Sequence, residues 1–275
     1  MTYRQICTQL ESAGIENAQV EAGLLLSHFC GVGASELLFR KNENFVCDAL
    51  EKAVLKRMQR EPLQYLLGEW EFFGLNFSVS PDCLIPRQDT ELLVEKAVAL
   101  LPKGALFADF CTGSGCIVTA VLVSRPDTTA VAVDAFENTL EMARKNCAAN
   151  GVDGRTELVL LDLLQPLDGV FAQKFDCILS NPPYIPTEVV KGLAPELAHE
   201  PQVALDGGED GMRFYRHFLS QSDKVLKQTG FGSSRSATTS SRQSVLWRQS
   251  SALPVRWSAI LEAIPVWQSF GNITD

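Results

Sequence analysis

From residue 90 to about residue 230, short apolar runs alternate with helical stretches, and no other feature of the chain restricts its fold as tightly. "ELLVEKAVALL" has helical spacing, "ALFADF" reads as a short strand, "CIVTAVLVSR" as a helix and "TAVAVD" as a strand. "NTLEMARKNCAAN" is again helical, followed by the strands "TELVLLD" and "FDCILSN" and the helical run "MRFYRHFLSQSDKVLKQ". Short strands separated by helices join through right-handed crossovers into a parallel sheet. The expected fold class is therefore α/β, a doubly wound Rossmann-like sheet that binds ligands at the carboxyl ends of its strands.

The flanking regions differ. Residues 1–68 read as a small helical bundle. Ile6 and Leu10 share one face of a first helix that Gly14 ends, and Val20 and Leu24 to Leu26 belong to a second helix running toward Gly31. Leu50, Val54, Leu55 and Met58 recur at helical spacing before Pro62 interrupts. Residues 69–80, "EWEFFGLNFSVS", alternate around Gly74 as a hairpin does. "PDCLIPRQDT" follows as a linker, with a helix start at Asp89 or Thr90. Beyond residue 231 the text is Ser/Arg-rich, with no acidic residue between Asp223 and Glu262 and no legible strand where the sheet should receive one.

The formal net charge of −9 disfavours general attraction to nucleic acid, and no direct nucleic-acid binding is expected. No apolar run reaches bilayer-spanning length, and the opening "MTYRQICTQLESAG" lacks a signal-peptide core, so a cytoplasmic protein without membrane contact is expected. Eight cysteines without a CxxC pair and three isolated histidines predict buried thiols in a reducing compartment and no metal site.

Four successive strand ends carry Asp109, Asp134, Asp162 and Asn181. In "DFCTGSGC", residues 109–116, Gly113 and Gly115 permit a sharp turn and close ligand approach at a helix N-terminus. The loop has no GK[ST], so it is not a phosphate-cradling P-loop. Asp134 ends the next strand, where a carboxylate accepts both hydroxyls of a ribose. Taken alone it could equally cap the following helix. A glycine loop, an acid for a ribose and polar strand tips without a phosphate-binding lysine suit S-adenosylmethionine, a nucleoside carrying a sulfonium. "NPPYIP", residues 181–186, adds a rigid corner in which two prolines fix their own φ and extend the residue before each.

"LIPRQDTELLVE", "DFCTGSGC", "NPPYIP" and "EPQVALDGGEDGMRFYR", in that order, resemble the release factor glutamine methyltransferases, the HemK/PrmC family. The resemblance covers about residues 1–231. It implies a substrate-docking domain over residues 1–68, a hairpin and linker over 69–88, a methyltransferase domain over 89–231 and an atypical tail over 232–275. The activity it implies is methyl transfer from S-adenosylmethionine to the side-chain amide nitrogen of the glutamine in the Gly-Gly-Gln motif of class I peptide-chain release factors.

By the same resemblance, the Asn181 side-chain oxygen and the Pro182 carbonyl accept the two N–H bonds of that glutamine. Pro183 and Tyr184 complete the substrate site, with Tyr184 packed beside the substrate and counted among the catalytic residues. Cys111, Thr112, Gly113, Ser114 and Gly115 form the cofactor loop, and Asp134 holds the ribose. Asp162 or Leu163 lies near the adenine, and Asn181 also borders the cofactor. The family usually has glycine at the position of Cys111. Either the β-carbon crowds the methionine moiety, or the turn tolerates it because the later glycines carry the unusual dihedrals.

The tail departs from the family and reads like translation out of frame from about Gly232. Were it real, the sheet would lack its last strands and expose an edge. Two other readings stand beside the main one. One is a methyltransferase on exocyclic amino groups of nucleic-acid bases, which also need a planar nitrogen clamped. The other is a catalytically impaired protein that only binds cofactor or release factor.

Overall fold

The computed structural model describes residues 1–235 and 244–248. Helices α1 (Tyr3–Ser12), α2 (Ala18–Cys30), α3 (Ala34–Arg40), α4 (Asp48–Met58) and α5 (Leu63–Leu67) come first. A capping box starts α1: Thr2 Oγ1 accepts the Gln5 N–H at 3.2 Å while the Gln5 side chain accepts the Thr2 N–H at 2.8 Å. Gly31, at φ 65°, ends α2 in the left-handed region that glycine enters without steric cost. Ile6, Leu10, Leu25, Leu26, Leu50 and Val54 fill the core of this bundle. Val20 and Leu24 face outward, because α2 is apolar around most of its circumference and only one side can be covered, and Leu55 faces outward from α4.

Strands β1 (Glu69–Phe72) and β2 (Leu75–Ser78) form the expected hairpin. Phe73 and Gly74 both have positive φ, 53° and 70°, as a two-residue turn matched to strand twist requires. Phe72 and Phe77 bury their rings edge to face beneath it. Asn146 anchors the hairpin: its Oδ1 accepts the Ser78 N–H at 2.8 Å, and its Nδ2 donates to the carbonyls of Ser78 and Ser114 at 2.9 and 2.8 Å. One buried carboxamide thus joins the hairpin to the glycine loop.

The main sheet contains β3 (Leu106–Phe110), β4 (Thr129–Asp134), β5 (Thr156–Leu160), β6 (Phe175–Ser180), β7 (Leu226–Arg235) and β8 (Ser244–Arg248), in the spatial order β5-β4-β3-β6-β7-β8. Five strands run parallel and β8 pairs antiparallel with β7. Helices α6 (Glu91–Leu100), α7 (Cys116–Ser124), α8 (Glu137–Ala149), α9 (Asp168–Phe171), α10 (Thr187–Val190) and α11 (Arg213–Val225) complete the fold. Two apolar clusters, one containing Phe107 and Val118 and the other Phe110, Phe171, Phe175 and Phe218, are built on side chains from alternate positions of the same strands. The strand order reverses between β3 and β6, so a crevice opens at their carboxyl ends.

The end of the sheet corrects the sequence reading. Helix α11 stops at Val225, so Leu226 to Gln228, read as the end of that helix, already belong to β7, which runs on through "GFGSSR", where no strand was legible. Cys177 pairs with Phe231, and Ile178 with Gly232. Main-chain pairing does not need apolar alternation, and the small Ser233 is accommodated at 1% exposure. The sheet is therefore not cut short at β6. Most of the tail read as out of frame, residues 236–243 and 249–275, lies outside the described residues.

Candidate active site

A cleft of about 810 Å³ lies over the carboxyl ends of the strands. Cys111, Thr112, Gly113 and Ser114 contribute to its wall, as do Asp134, Asp162, Leu163, Asn181 and Pro183. The loop after β3, the tips of β4 and β5 and the corner after β6 thus meet at one cavity. Gly115, Pro182 and Tyr184 do not contribute to that wall. A β-carbon at Gly115 would lie 3.1 Å from the Ala143 backbone, so this glycine serves the close approach of α7 and α8. Tyr184 packs its main chain against the glycine loop before α11: a β-carbon at Gly207 would sit 2.7 Å from Tyr184 Cα, and one at Gly211 would collide with the Tyr184 carbonyl.

That glycine loop braces the proline corner through main-chain bonds. The Ile185 N–H donates to the Leu205 carbonyl at 2.9 Å, and the Gly207 N–H to the Ile185 carbonyl at 2.8 Å. Asp206 Oδ1 accepts from Thr187 Oγ1 at 2.7 Å and from the Gly208 N–H at 2.9 Å.

Asp109 requires a correction. It stands at a strand end like the other three polar residues, yet it is fully buried and does not reach the cleft. Its Oδ2 accepts from Thr112 Oγ1 at 2.7 Å and from the Val118 N–H at 3.2 Å, tying the loop to α7, while Oδ1 has no partner. Burial drives its pKa up to about 7 against those two hydrogen bonds, and the neighbouring Asp134 adds to the rise. Asp134 receives the Gly113 N–H at 3.0 Å on one oxygen and the Ala135 and Phe136 N–H groups at 2.8 and 3.3 Å on the other. Burial raises its pKa while these three donors oppose the rise. Asp162 is exposed at the rim and accepts from the Leu164 N–H at 3.0 Å.

Cys111 also departs from expectation. Its own φ is 59°, beside 56° at Gly113 and 76° at Gly115, so the later glycines do not carry all the unusual dihedrals. A residue with a β-carbon holds the left-handed conformation here at a cost of about 1 kcal/mol. Burial, then the charges of Asp134 and Asp109, push its thiol well above the ordinary range. Cys83 and Cys116, which line the same cleft, are pushed up to about 11 and about 12, chiefly by burial. All three thiols stay protonated near neutrality and are poor nucleophiles.

Asn181 carries the most pointed feature. Its Nδ2 donates to Thr90 Oγ1 at 3.3 Å, whereas its Oδ1 is buried without a partner. An orphaned buried acceptor is costly unless something else supplies the donor.

Sequence reasoning missed one whole wall, the linker from Pro81 to Arg87 with Thr90. Buried Glu200 holds it, accepting the Ile85 N–H at 3.1 Å and pairing with Arg87. Tyr65 Oη, from α5, donates to the Cys83 carbonyl at 2.8 Å. A second tie joins the helical bundle to the segment after the corner. Arg57 donates to both oxygens of Glu21, at 2.6 and 3.1 Å, and to Glu196 at 3.2 Å, which also accepts from Arg60 at 3.2 Å. A linker tripeptide such as Ile-Pro-Arg shows no local sign of its bonds to Glu200, a partner more than a hundred positions away.

Comparison with known proteins agrees with this architecture. The PrmC N-terminal domain profile matches residues 2–68, and the methyltransferase small domain profile matches residues 88–246. A release factor glutamine methyltransferase of Geobacter sulfurreducens is 39% identical over 229 residues, spanning 81% of this chain and 78% of the relative. Its counterpart in Moorella thermoacetica is 37% identical over 239 residues, spanning 84% and 83%. That of Mycolicibacterium smegmatis is 38% identical over 225 residues, spanning 80% and 78%. With relatives this similar over four-fifths of its length, and with both of its domains matched, the chain belongs to the release factor glutamine methyltransferase family.

Proposed function

We propose that this protein transfers a methyl group from S-adenosylmethionine to the side-chain amide nitrogen of the glutamine in the Gly-Gly-Gln motif of class I peptide-chain release factors. The observation that carries the reading is the buried, unpaired Oδ1 of Asn181 on the wall of a cleft it shares with the glycine loop.

The cleft suits the cofactor. Its volume of about 810 Å³ accepts a nucleoside joined to an amino acid, and no atom lies within 4 Å of the β-carbon position at Gly113. Asp134 would take the ribose, Asp162 and Leu163 would lie by the adenine, and the half-exposed Phe136 offers it an apolar face. The Cys111–Ser114 turn would hold the methionine end. Bound there, S-adenosylmethionine supplies a methyl group activated on a sulfonium.

The residues of the corner supply alignment. An amide nitrogen is a weak nucleophile because its lone pair is delocalised into the carbonyl. Asn181 Oδ1 accepts one N–H of the glutamine, which turns the nitrogen toward the methyl and stabilises the positive charge that grows on it. Pro182 and Pro183 keep the corner stiff, and the Pro182 carbonyl is the second acceptor in this reading. Positioning rather than a strong base accounts for the acceleration. Outward-facing Leu38, Phe39 and Val46 on and near α3 give the helical bundle an apolar surface for docking the release factor. A translation factor as substrate places the enzyme in the cytoplasm.

Mass spectrometry of a release factor incubated with the protein and S-adenosylmethionine tests this. One added methyl on the Gly-Gly-Gln peptide is expected. Asn181→Ala should lose that product while retaining cofactor binding by calorimetry. An unmodified peptide, methylation of duplex DNA instead, or full activity in Asn181→Ala would overturn the proposal.

A further inference from the structure

Thr90 stands where an N-cap belongs, directly before α6, yet its side chain caps nothing. Its Oγ1 instead accepts from Asn181 Nδ2 across 91 positions of sequence. Thr90 is 1% exposed and borders the cleft. Its main chain is held in turn: the Thr90 N–H donates to the Arg87 carbonyl at 2.9 Å, and Arg87 pairs with buried Glu200.

A carboxamide has two orientations of nearly equal shape that exchange an acceptor for two donors. With Nδ2 engaged by Thr90, the oxygen is the atom left unpartnered. We infer that Thr90 is a positioning residue that holds the Asn181 carboxamide with its acceptor, not its donors, available to the substrate nitrogen. The inference rests on the amide-methylation reading and deepens it. In the flipped orientation, N–H groups of Asn181 would face N–H groups of the substrate amide, and the site would be folded but unproductive.

Two variants separate this role from simple packing. Thr90→Val keeps the shape and removes the acceptor, while Thr90→Ser keeps the acceptor and removes a methyl. Nuclear magnetic resonance of the full chain with isotope-labelled asparagine reads the side-chain amide protons of Asn181 without any turnover. Slow solvent exchange of one proton is expected in the wild type and in Thr90→Ser, and its loss in Thr90→Val. In methylation assays Thr90→Val should lower kcat about 10-fold, the weight of roughly one hydrogen bond, with the cofactor Kd unmoved and with recovery in Thr90→Ser.

A protected proton or undiminished kcat in Thr90→Val overturns the inference, as does a Thr90→Ser variant that falls as far as Thr90→Val. If the wild type shows the protected proton but methylates no release factor, the pairing stands and the proposed function fails.

Discussion

Replacing Asp109 by asparagine should remove a pH-dependent weakness that the wild-type fold carries. Asp109 is fully buried, and its pKa is raised from 3.8 to about 7. In the unfolded chain the carboxyl ionises near 3.8, so between that value and about 7 the folded protein binds the extra proton. Stability from this group is fully present below the unfolded pKa and is lost as pH rises through the folded one. At ~1.36 kcal/mol per unit, the full displacement amounts to about 4 kcal/mol.

Roughly half of that, ~2 kcal/mol, falls between about pH 5.5 and about pH 7.5. The carboxamide of Asp109→Asn would keep an oxygen for the Thr112 hydroxyl and the Val118 N–H, which the wild-type Oδ2 accepts. Its two amide hydrogens would lie where the wild-type Oδ1 has no partner, but that penalty does not vary with pH and only offsets the comparison. Urea unfolding of both proteins at several pH values is the assay. The stability of Asp109→Asn relative to wild type should rise by ~2 kcal/mol across that interval, while all other titrating groups cancel in the difference. A difference that stays flat within ~0.5 kcal/mol, or that changes with opposite sign, would refute the assignment of a protonated buried acid.

Other expectations follow from the same contacts. Gly211→Ala places a β-carbon against the Tyr184 carbonyl at φ 74°, so it should cost more than ~2 kcal/mol in urea and lower methylation with it. Cys111→Gly should relieve the left-handed strain and stabilise by up to ~1 kcal/mol, part of it offset by greater freedom of the unfolded chain. Cys111→Val, β-branched at the same φ, should destabilise by ~2 kcal/mol or more, and thermal melting of the pair checks the contrast. Arg57→Ala strands Glu21 and leaves Glu196 to Arg60 alone, with an expected loss of ~2 to 3 kcal/mol in denaturant. If Arg57→Lys restores full stability, the forked geometry assigned to this contact is wrong.

The strands β3 to β6 and helices α6 and α7 could be read from the chain because each is a short apolar segment bounded by polar residues, and α8 because Leu140, Ala143 and Cys147 recur at helical spacing in a polar run. Strand β7 could not, since Gly232 and Ser233 take their places through main-chain pairing with Ile178 and Leu179 and leave no pattern. The glycine turn and the proline corner were legible as local chemistry. Asp109 looked like its neighbours Asp134 and Asp162 because a strand-end acid reads alike whether it lines a cleft or is buried beneath the loop it secures. The bonds that Thr90, Asn146 and Glu200 make left no local mark, as they reach across 91, 68 and more than 110 positions.

The seam between Tyr184 and the glycines at 207 and 211 has a consequence for recombination and grafting. Backbone rests on backbone there, so neither half can be moved to a new host alone. A graft of residues 181–186 without 205–211 would transfer the letters of the corner and leave its buttress behind. The portable element is the pair of segments, discontinuous in the gene yet a single piece of masonry in the folded chain.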